Sequence, residues 1–377
     1  MFGRMDLSNL LTSCSDGHDR VPLTSFVQVT RMTFAAAFCF LLSAFSAAPR
    51  QQANGGSPRG LIRSMSSVVN VYAVVEGRHG QLIRDLKKDD FEISDNAIPQ
   101  TIEHFSQETN VALSLGIALD TSVSQGRLLG AEKEAAKQFL RSVLQTGDQS
   151  FVMSFDVDVK LLKDFTSTSI ELARAIDSAE INESGRSVLQ MSGASSTGGT
   201  HLYDAVYLAS NELMKTRHGR EILVVVTDGE DQGSKMDLQK SIEAAEKADV
   251  IVYSIVLSDP EFYSLMGARY RGDAPVRKFA RATGGRTIRV RSVQGIGQAF
   301  DQIERELRSQ YRLGYSPSNL RHDGSFRTIH IKVRGHNYRV LTRTGYYDLH
   351  DKKDAKTLVF RPSTSLRGED ASTRAGT

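Results

Sequence analysis

Uncharged apolar segments, each about one strand long, recur through the middle of the chain at residues 111–119, 222–227 and 250–257. A strand that is apolar on both faces belongs inside a parallel sheet that helices cover on each side. Apolar positions at helical spacing lie between and after these segments, at residues 128–144, 202–214, 235–247 and 297–309. This alternation predicts an α/β fold with a doubly wound, mostly parallel sheet joined by right-handed crossovers.

In the segments that flank this region, apolar and polar residues alternate with the two-residue period of a β-strand. Residues 329–334 alternate apolar and polar, as in a strand that is solvated on one face. Residues 67–107 show about three strand patterns of their own. Neither flank has enough strands to be stable alone. We therefore expect 67–107 and 309–349 to form one small β-sandwich, with the α/β domain of residues 108–308 inserted between them.

The first 48 residues have the pattern of a leader. A basic flank at Arg31 precedes an apolar run at 34–45 and small residues that end at Ala48. This pattern is typical of a signal peptide at about 31–48, and it predicts a secreted, periplasmic or cell-envelope protein. A buried helix and a short membrane anchor are the alternatives. With the leader removed, we expect no membrane insertion.

Two polar segments complete the predicted organisation. Residues 49–66 are rich in Gly, Pro and Ser and read as a linker. Residues 350–377 are polar with little apolar content, and we expect a disordered tail.

Composition narrows the chemistry. The 377 residues carry a formal net charge of +3, which argues neither for nor against nucleic acid, and we expect no nucleic-acid partner. Both cysteines, Cys14 and Cys39, lie in the predicted leader. The mature chain therefore has no disulfide, and a cysteine zinc site is excluded.

Oxygen-bearing side chains occupy three loops where ligands bind in α/β sheets, beyond the carboxyl ends of the strands. They are Asp120, Ser122, Ser124, Thr200 and Asp228. Oxygen-only ligands with few carboxylates suit Mg²⁺ or Mn²⁺. Such an ion stays under-neutralised, and a carboxylate from a partner suits its open position. The alternative is structural, with Asp120 capping the next helix and the serines bonded to backbone.

The same loops resemble the metal-ion-dependent adhesion site of von Willebrand factor type A domains. The matching residues are Asp120-x-Ser122-x-Ser124, Gly199-Thr200 followed by Leu202-Tyr203-Asp204-Ala205, and Thr227-Asp228-Gly229. The resemblance covers roughly residues 108–308. It implies direct metal ligation by Ser122, Ser124 and Thr200, and ligation by Asp120 and Asp228 either directly or through water.

The flanks resemble, less specifically, a bacterial group of secreted proteins with such domains. The residues concerned are Asp89-Asp90-Phe91-Glu92 and Gly314-Tyr315-Ser316-Pro317.

Three further acids lie near the predicted ligands. We expect Asp204 to be an acid in the first turn of its helix rather than a metal ligand. Glu230 and Asp231 are expected to be charges on the rim of the site.

Enzyme motifs fail on inspection. Gly193-Ala-Ser195-Ser-Thr197 lacks the last glycine of a serine hydrolase elbow. Gly295-Ile-Gly297 does not continue as a dinucleotide fingerprint. We find no plausible general base beside the ion, and we expect no enzymatic activity.

These features together predict a metal-dependent protein-binding module of adhesion type. A structural or assembly protein of the cell envelope, with a purely stabilising metal site, is the rival interpretation.

Overall fold

The computed structural model describes residues 68–107, 111–182, 199–217, 219–265, 272–319, 321 and 323–349. The predicted leader, linker and tail lie outside the described residues, as does most of the polar segment 183–199. Within the described ranges, no helix is both long enough and apolar enough to cross a membrane.

The described strands, in chain order, are β1 (Val69–Glu76), β2 (Phe91–Asp95), β3 (Ile98–Gln100), β4 (His104–Gln107), β5 (Leu113–Asp120), β6 (Gln149–Phe155), β7 (Val159–Thr166), β8 (Arg220–Thr227), β9 (Val250–Val256), β10 (Thr287–Arg289), β11 (Tyr311–Tyr315), β12 (Phe326–Val333), β13 (Arg339–Leu341) and β14 (Gly345–Tyr347). The α-helices are α1 (Leu129–Val143), α2 (Ser169–Asp177), α3 (Leu202–Leu208), α4 (Leu238–Lys247), α5 (Pro260–Leu265), α6 (Ala274–Thr283) and α7 (Gly295–Leu307).

A six-stranded sheet forms the centre of the α/β domain, in the order β10-β9-β8-β5-β6-β7. All neighbours are parallel except β7, which returns antiparallel to β6. Every residue of β5, β8 and β9 is buried, as the apolar pattern predicts. The predicted doubly wound α/β architecture is confirmed.

Helices α1, α2 and α7 contribute apolar residues to one continuous core with the sheet. Within it the rings of Phe139 and Phe300 lie 4.9 Å apart, centroid to centroid. In the middle of β5, a Cβ on Gly116 would approach the Phe151 ring to 2.3 Å. Glycine at this position therefore makes room for a neighbouring aromatic side chain.

Two four-stranded antiparallel sheets, β13-β1-β11-β4 and β14-β12-β2-β3, make up the predicted sandwich. Each contains strands from both flanks of the α/β domain. β1 pairs with β11, and β2 pairs with β12. The last residue of β4, Gln107, lies opposite the first residue of β11, Tyr311. A separate apolar cluster fills this sandwich.

Two local details differ from the sequence patterns. The sequence predicts a turn at Asp95-Asn96 and Pro99; the turn is at Asn96-Ala97, and Pro99 lies in the short strand β3, which is at the edge of its sheet and pairs with β2. Proline is tolerated there because an edge strand can leave one backbone position without a hydrogen bond. The sequence pattern of residues 339–347 predicts one strand beside 329–334, but these residues divide into β13 and β14, which belong to different sheets. The segment 202–214 is helical throughout, as predicted, with α3 followed directly by a π-helical turn, Ala209–Met214.

The end of α6 brings the α/β domain against the sandwich. Gly284 takes the left-handed cap conformation that the Gly284-Gly285 pair at the end of a helix predicts, with φ of 86°. A Cβ there would lie 2.4 Å from the backbone nitrogen of Arg343 in the sandwich. Next to this cap, Arg286 forms ion pairs with Glu76 of β1 and with Glu306 of α7, the latter at 2.6 Å between Nε and Oε1.

Candidate metal centre

Two adjacent strands bring the first and third predicted loops together. β5 ends at Asp120, and β8 ends at Thr227, directly before Asp228. The strands are parallel neighbours, with Leu119 opposite Val226. Their polar ends therefore meet at one edge of the sheet, the edge where α/β folds bind ligands.

A continuous set of hydrogen bonds links four of the five predicted ligands. Oδ1 of Asp120 accepts from the backbone N–H of Ser122 at 2.9 Å. The hydroxyls of Ser122 and Ser124 are 2.9 Å apart. The Ser124 hydroxyl donates to Oδ2 of Asp228 at 2.7 Å. The two serines thus bond to other side chains of the site, which differs from the structural alternative in which they bond to backbone.

Residues of the β8 loop orient the two carboxylates. Thr227 donates its hydroxyl to Oδ2 of Asp120 at 2.6 Å and accepts the Gly229 N–H at 3.0 Å. The Glu230 N–H donates to Oδ1 of Asp228 at 3.1 Å. Backbone and hydroxyl donors of this kind hold a carboxylate in one orientation without neutralising it.

Thr200, the fifth predicted ligand, is held at this edge through its backbone. It exchanges two hydrogen bonds with the backbone of Gln232, four residues beyond Asp228, at 2.9 and 3.0 Å. The next N–H, that of His201, donates to the carbonyl of Asp156 at 2.7 Å. Ligation by the Thr200 hydroxyl stays a prediction.

Burial and mutual repulsion govern the charge of the site. Asp120 is fully buried, and burial together with the negative charge of Asp228 raises the pKa of Asp120 to about 7. The hydrogen bonds from Ser122 and Thr227 act in the opposite direction. Two carboxylates that disfavour each other's charge create a place where a cation is stabilising.

Glu132 is a third carboxyl near this charge, and sequence reasoning missed it. Its side chain lies on α1 and is fully buried, and burial followed by the charges of Asp120 and Asp228 raises its pKa well above the usual value. In the orientation that satisfies both ends of its amide, Gln125 donates to Glu132 at 3.2 Å and accepts the Asp228 N–H at 3.1 Å. A glutamate on the apolar stripe of a helix was the available signal.

The structure describes all three neighbouring acids. Asp204 lies in the first turn of α3, as expected, and it is fully buried, with a carboxylate that accepts the N–H groups of Lys235 and Met236. Glu230 is buried rather than on the rim. Asp231 accepts the Tyr203 N–H at 3.0 Å. Asp204 and Asp231 therefore fix the loop that follows Asp228.

The donor set fits a hard divalent cation. Mg²⁺ holds oxygen ligands at 2.0–2.1 Å in an octahedron, whose neighbouring ligands are about 2.9 Å apart. The separations of 2.9 Å from Ser122 to Ser124 and 2.7 Å from Ser124 to Asp228 are ordinary hydrogen-bond lengths, and oxygens at such separations can be neighbouring ligands of one ion without large movement. Among the described residues, no three His, Cys, Asp or Glu side chains group as metal ligands.

Comparison with known proteins identifies the domain. The family profile of the von Willebrand factor type A domain matches residues 115–230. No curated protein matches the chain.

Several solved structures are similar in fold. An aerotolerance-related membrane protein from Bacteroides fragilis is 19% identical, with 52% of this chain and 98% of that chain covered and a TM-score of 0.39. The type V pilus tip protein Mfa5 from Porphyromonas gingivalis is 12% identical, with 53% and 96% covered and a TM-score of 0.39. Proximal thread matrix protein 1 from the mussel byssus, with zinc in its MIDAS (metal-ion-dependent adhesion site) motif, is 14% identical, with 55% of this chain and 48% of that chain covered and a TM-score of 0.41.

The profile match and the six-stranded, mostly parallel sheet agree on one assignment: the chain contains a von Willebrand factor type A domain.

Proposed function

We propose that this protein is a metal-dependent protein-binding module, in which Mg²⁺ or Mn²⁺ at the carboxyl edge of the sheet binds an acidic group of a partner protein. The ligands are Asp120, Ser122, Ser124, Thr200 and Asp228. The observation that carries the proposal is the chain of side-chain contacts from Ser122 through Ser124 to Asp228, at the adjoining ends of β5 and β8.

The charge of the ligand set supports binding rather than chemistry. Two carboxylates and neutral hydroxyls leave a divalent ion with accessible positive charge. When bound, the ion supplies a Lewis-acidic position that a partner carboxylate can occupy. Asp120 and Asp228 hold the ion, whereas the buried Asp204 and the half-buried Asp231 keep the neighbouring loop in place.

A catalytic role would need a general base that reaches a substrate. The charges of Asp120 and Asp228 contribute to the raised pKa of Glu132, but the Glu132 side chain is fully buried on α1. Burial there disfavours the charged form of Glu132 and keeps its carboxyl from contacting a substrate. We therefore propose a binding function and no enzymatic one.

The rival function is that of a structural or assembly protein of the cell envelope, in which the metal only stiffens the loops. Both functions predict that Mg²⁺ raises the midpoint of thermal unfolding. They differ in whether the metal also controls capture of another protein.

The test measures both properties in the same variants. Wild type and Ser124→Ala are compared, with Ser316→Ala as the matched control, because the Ser316 hydroxyl contacts Glu103 in the sandwich at 2.8 Å. Immobilised protein is exposed to an envelope extract with Mg²⁺ or with EDTA, and unfolding midpoints are measured under both conditions.

The binding function predicts that wild type and Ser316→Ala capture a protein from the extract in Mg²⁺ and release it in EDTA. Ser124→Ala should not capture that protein under either condition. A lower midpoint in EDTA with unchanged capture would favour the rival. If neither the unfolding midpoint nor the capture of a protein changes between Mg²⁺ and EDTA, the proposed metal centre is refuted.

A further inference from the structure

A side chain from outside the three predicted loops contacts the candidate metal centre. Tyr263 lies on α5, a short helix that follows β9 and that sequence reasoning did not predict. Its hydroxyl donates to Oδ2 of Asp228 at 2.7 Å. This is the same oxygen that accepts the Ser124 hydroxyl, also at 2.7 Å.

Ion pairs link the segment that carries Tyr263 to the loop after β5, which holds Ser122 and Ser124. Arg127, three residues after Ser124, forms an ion pair with Glu261 and a longer one with Asp259, at 3.9 Å from Nε to Oδ2. The Glu261 N–H donates to Asp259 at 3.0 Å, which shapes the start of the segment. The segment 259–263 therefore spans from the β5 loop to the β8 loop.

The lone pairs of the Asp228 carboxylate limit how many donors and cations it can bind. One carboxylate oxygen has about two lone-pair positions in the plane of its group. In Oδ2 of Asp228 these are taken by Ser124, which is itself a predicted ligand, and by Tyr263, which is not. The other oxygen, Oδ1, accepts the Glu230 N–H. A cation that binds Oδ2 directly competes with these two hydroxyls, and only the Tyr263 hydroxyl is not itself a predicted ligand.

We propose that Tyr263 sets the affinity of the metal centre by competing with the cation for Oδ2 of Asp228. The inference rests on the proposed function, since it requires a divalent ion at this site. In the metal-free protein the phenol satisfies the carboxylate. In the metal-bound protein the phenol is displaced, and the segment 259–263 keeps its ion pairs with Arg127.

A purely structural hydrogen bond makes the opposite prediction. If Tyr263 served to orient Asp228 for the metal, its removal would weaken binding. Competition requires that removal of the hydroxyl strengthen it, because the metal no longer has to break a hydrogen bond to a charged group.

The experiment is titration of the full chain with MnCl₂ and with MgCl₂ by isothermal calorimetry. Wild type, Tyr263→Phe and Asp228→Asn are compared, and Tyr338→Phe is the matched control because its ring stacks on His336 in the sandwich. We expect Tyr263→Phe to bind about tenfold more tightly than wild type, Tyr338→Phe to equal wild type, and Asp228→Asn to lose binding.

The possible failures are distinguishable. If wild type binds the metals and Tyr263→Phe binds equally or more weakly, the competition is refuted and the proposed function stands. If neither wild type nor Tyr263→Phe binds either ion, the proposed function fails and the inference fails with it.

A measurement on wild type alone gives an independent check. Hydrogen–deuterium exchange followed by mass spectrometry reports backbone protection of the segment 259–265 with and without Mg²⁺. Displacement of Tyr263 predicts faster exchange in this segment when Mg²⁺ is bound, together with slower exchange in 120–128. Unchanged or slower exchange at 259–265 would contradict the proposal.

Discussion

Replacement of Arg286 by methionine tests the junction between the α/β domain and the sandwich. Arg286 pairs with Glu76 of the sandwich and with Glu306 of α7, and both glutamates are buried. Methionine keeps most of the side-chain volume but leaves both carboxylates without this cation. Removing one partner of a buried ion pair typically costs about 3–5 kcal/mol of unfolding free energy.

The loss depends on pH in a way that identifies its cause. Burial raises the pKa of Glu306, and the charge of Arg286 opposes that shift. Without Arg286 the folded state favours protonated Glu306 more strongly. Holding a glutamate neutral costs about 1.4 kcal/mol for each pH unit above its usual pKa of about 4.3. The penalty for Glu306 is therefore at most about 4 kcal/mol at pH 7.5 and about 1 kcal/mol at pH 5.

Urea unfolding followed by circular dichroism at both pH values measures this difference. At pH 7.5 we expect Arg286→Met to lose about 3–5 kcal/mol, which lowers the thermal midpoint by about 6–10 °C. The double variant Arg286→Met/Glu306→Gln should recover part of the loss. Arg334→Met is the control, because Arg334 pairs with Glu92 on the surface. An exposed pair of this kind contributes at most about 1 kcal/mol.

An Arg286→Met loss no larger than that of Arg334→Met would refute the assignment of this ion pair as a stabilising contact. A large loss that is equal at pH 5 and pH 7.5 would show that packing, and not charge, accounts for it.

Four further substitutions test other sites. Burial raises the pKa of Glu246 to about 7, so the folded protein binds a proton there that the unfolded chain releases, and stability falls as pH rises from about 4.5 to about 7. Glu246→Gln should therefore stabilise the protein by about 1–2 kcal/mol at pH 8 and little at pH 4, measured by urea unfolding. Gly284→Ala should destabilise by about 2–4 kcal/mol, because φ is 86° and the Cβ would meet the sandwich backbone. Gly297→Ala, in open space on α7, should stabilise by about 0.5–1 kcal/mol in the same assay. Without metal, Asp120→Asn should raise the thermal midpoint by about 2–4 °C by removing one of two repelling charges, while abolishing the rise that Mg²⁺ gives wild type. An Asp120→Asn protein that Mg²⁺ still stabilises would contradict that reasoning.

The central fold could be predicted because its signals are local and strong. The uncharged segments around Leu115 and Val224 had few alternatives to buried parallel strands, and polar residues directly after them marked the binding edge. The sandwich followed from an argument about stability, since neither flank had enough strands alone. In both cases the sequence pattern shows which apolar residues must be buried, and this requirement does not depend on how the rest of the chain is arranged.

The contacts that complete the site could not be predicted in this way. Tyr263 lies on a six-residue helix that is too short for a periodic pattern, and its contact with Asp228 exists only in the folded chain. Glu230 and Asp231 looked like surface charges because burial of an acid depends on donors from elsewhere in the structure. The same reasoning placed Thr200 in the site without determining where its hydroxyl points.

The pairing of Gln107 with Tyr311 means that the chain leaves the sandwich and re-enters it at neighbouring positions. Topologically, the whole α/β domain is the loop of a β-hairpin between β4 and β11. Closing a flexible loop of about two hundred residues would cost about 5 kcal/mol of chain entropy, but a folded insert already holds its two ends together. We therefore expect the inserted domain to fold first and to act as the template on which the two halves of the sandwich meet.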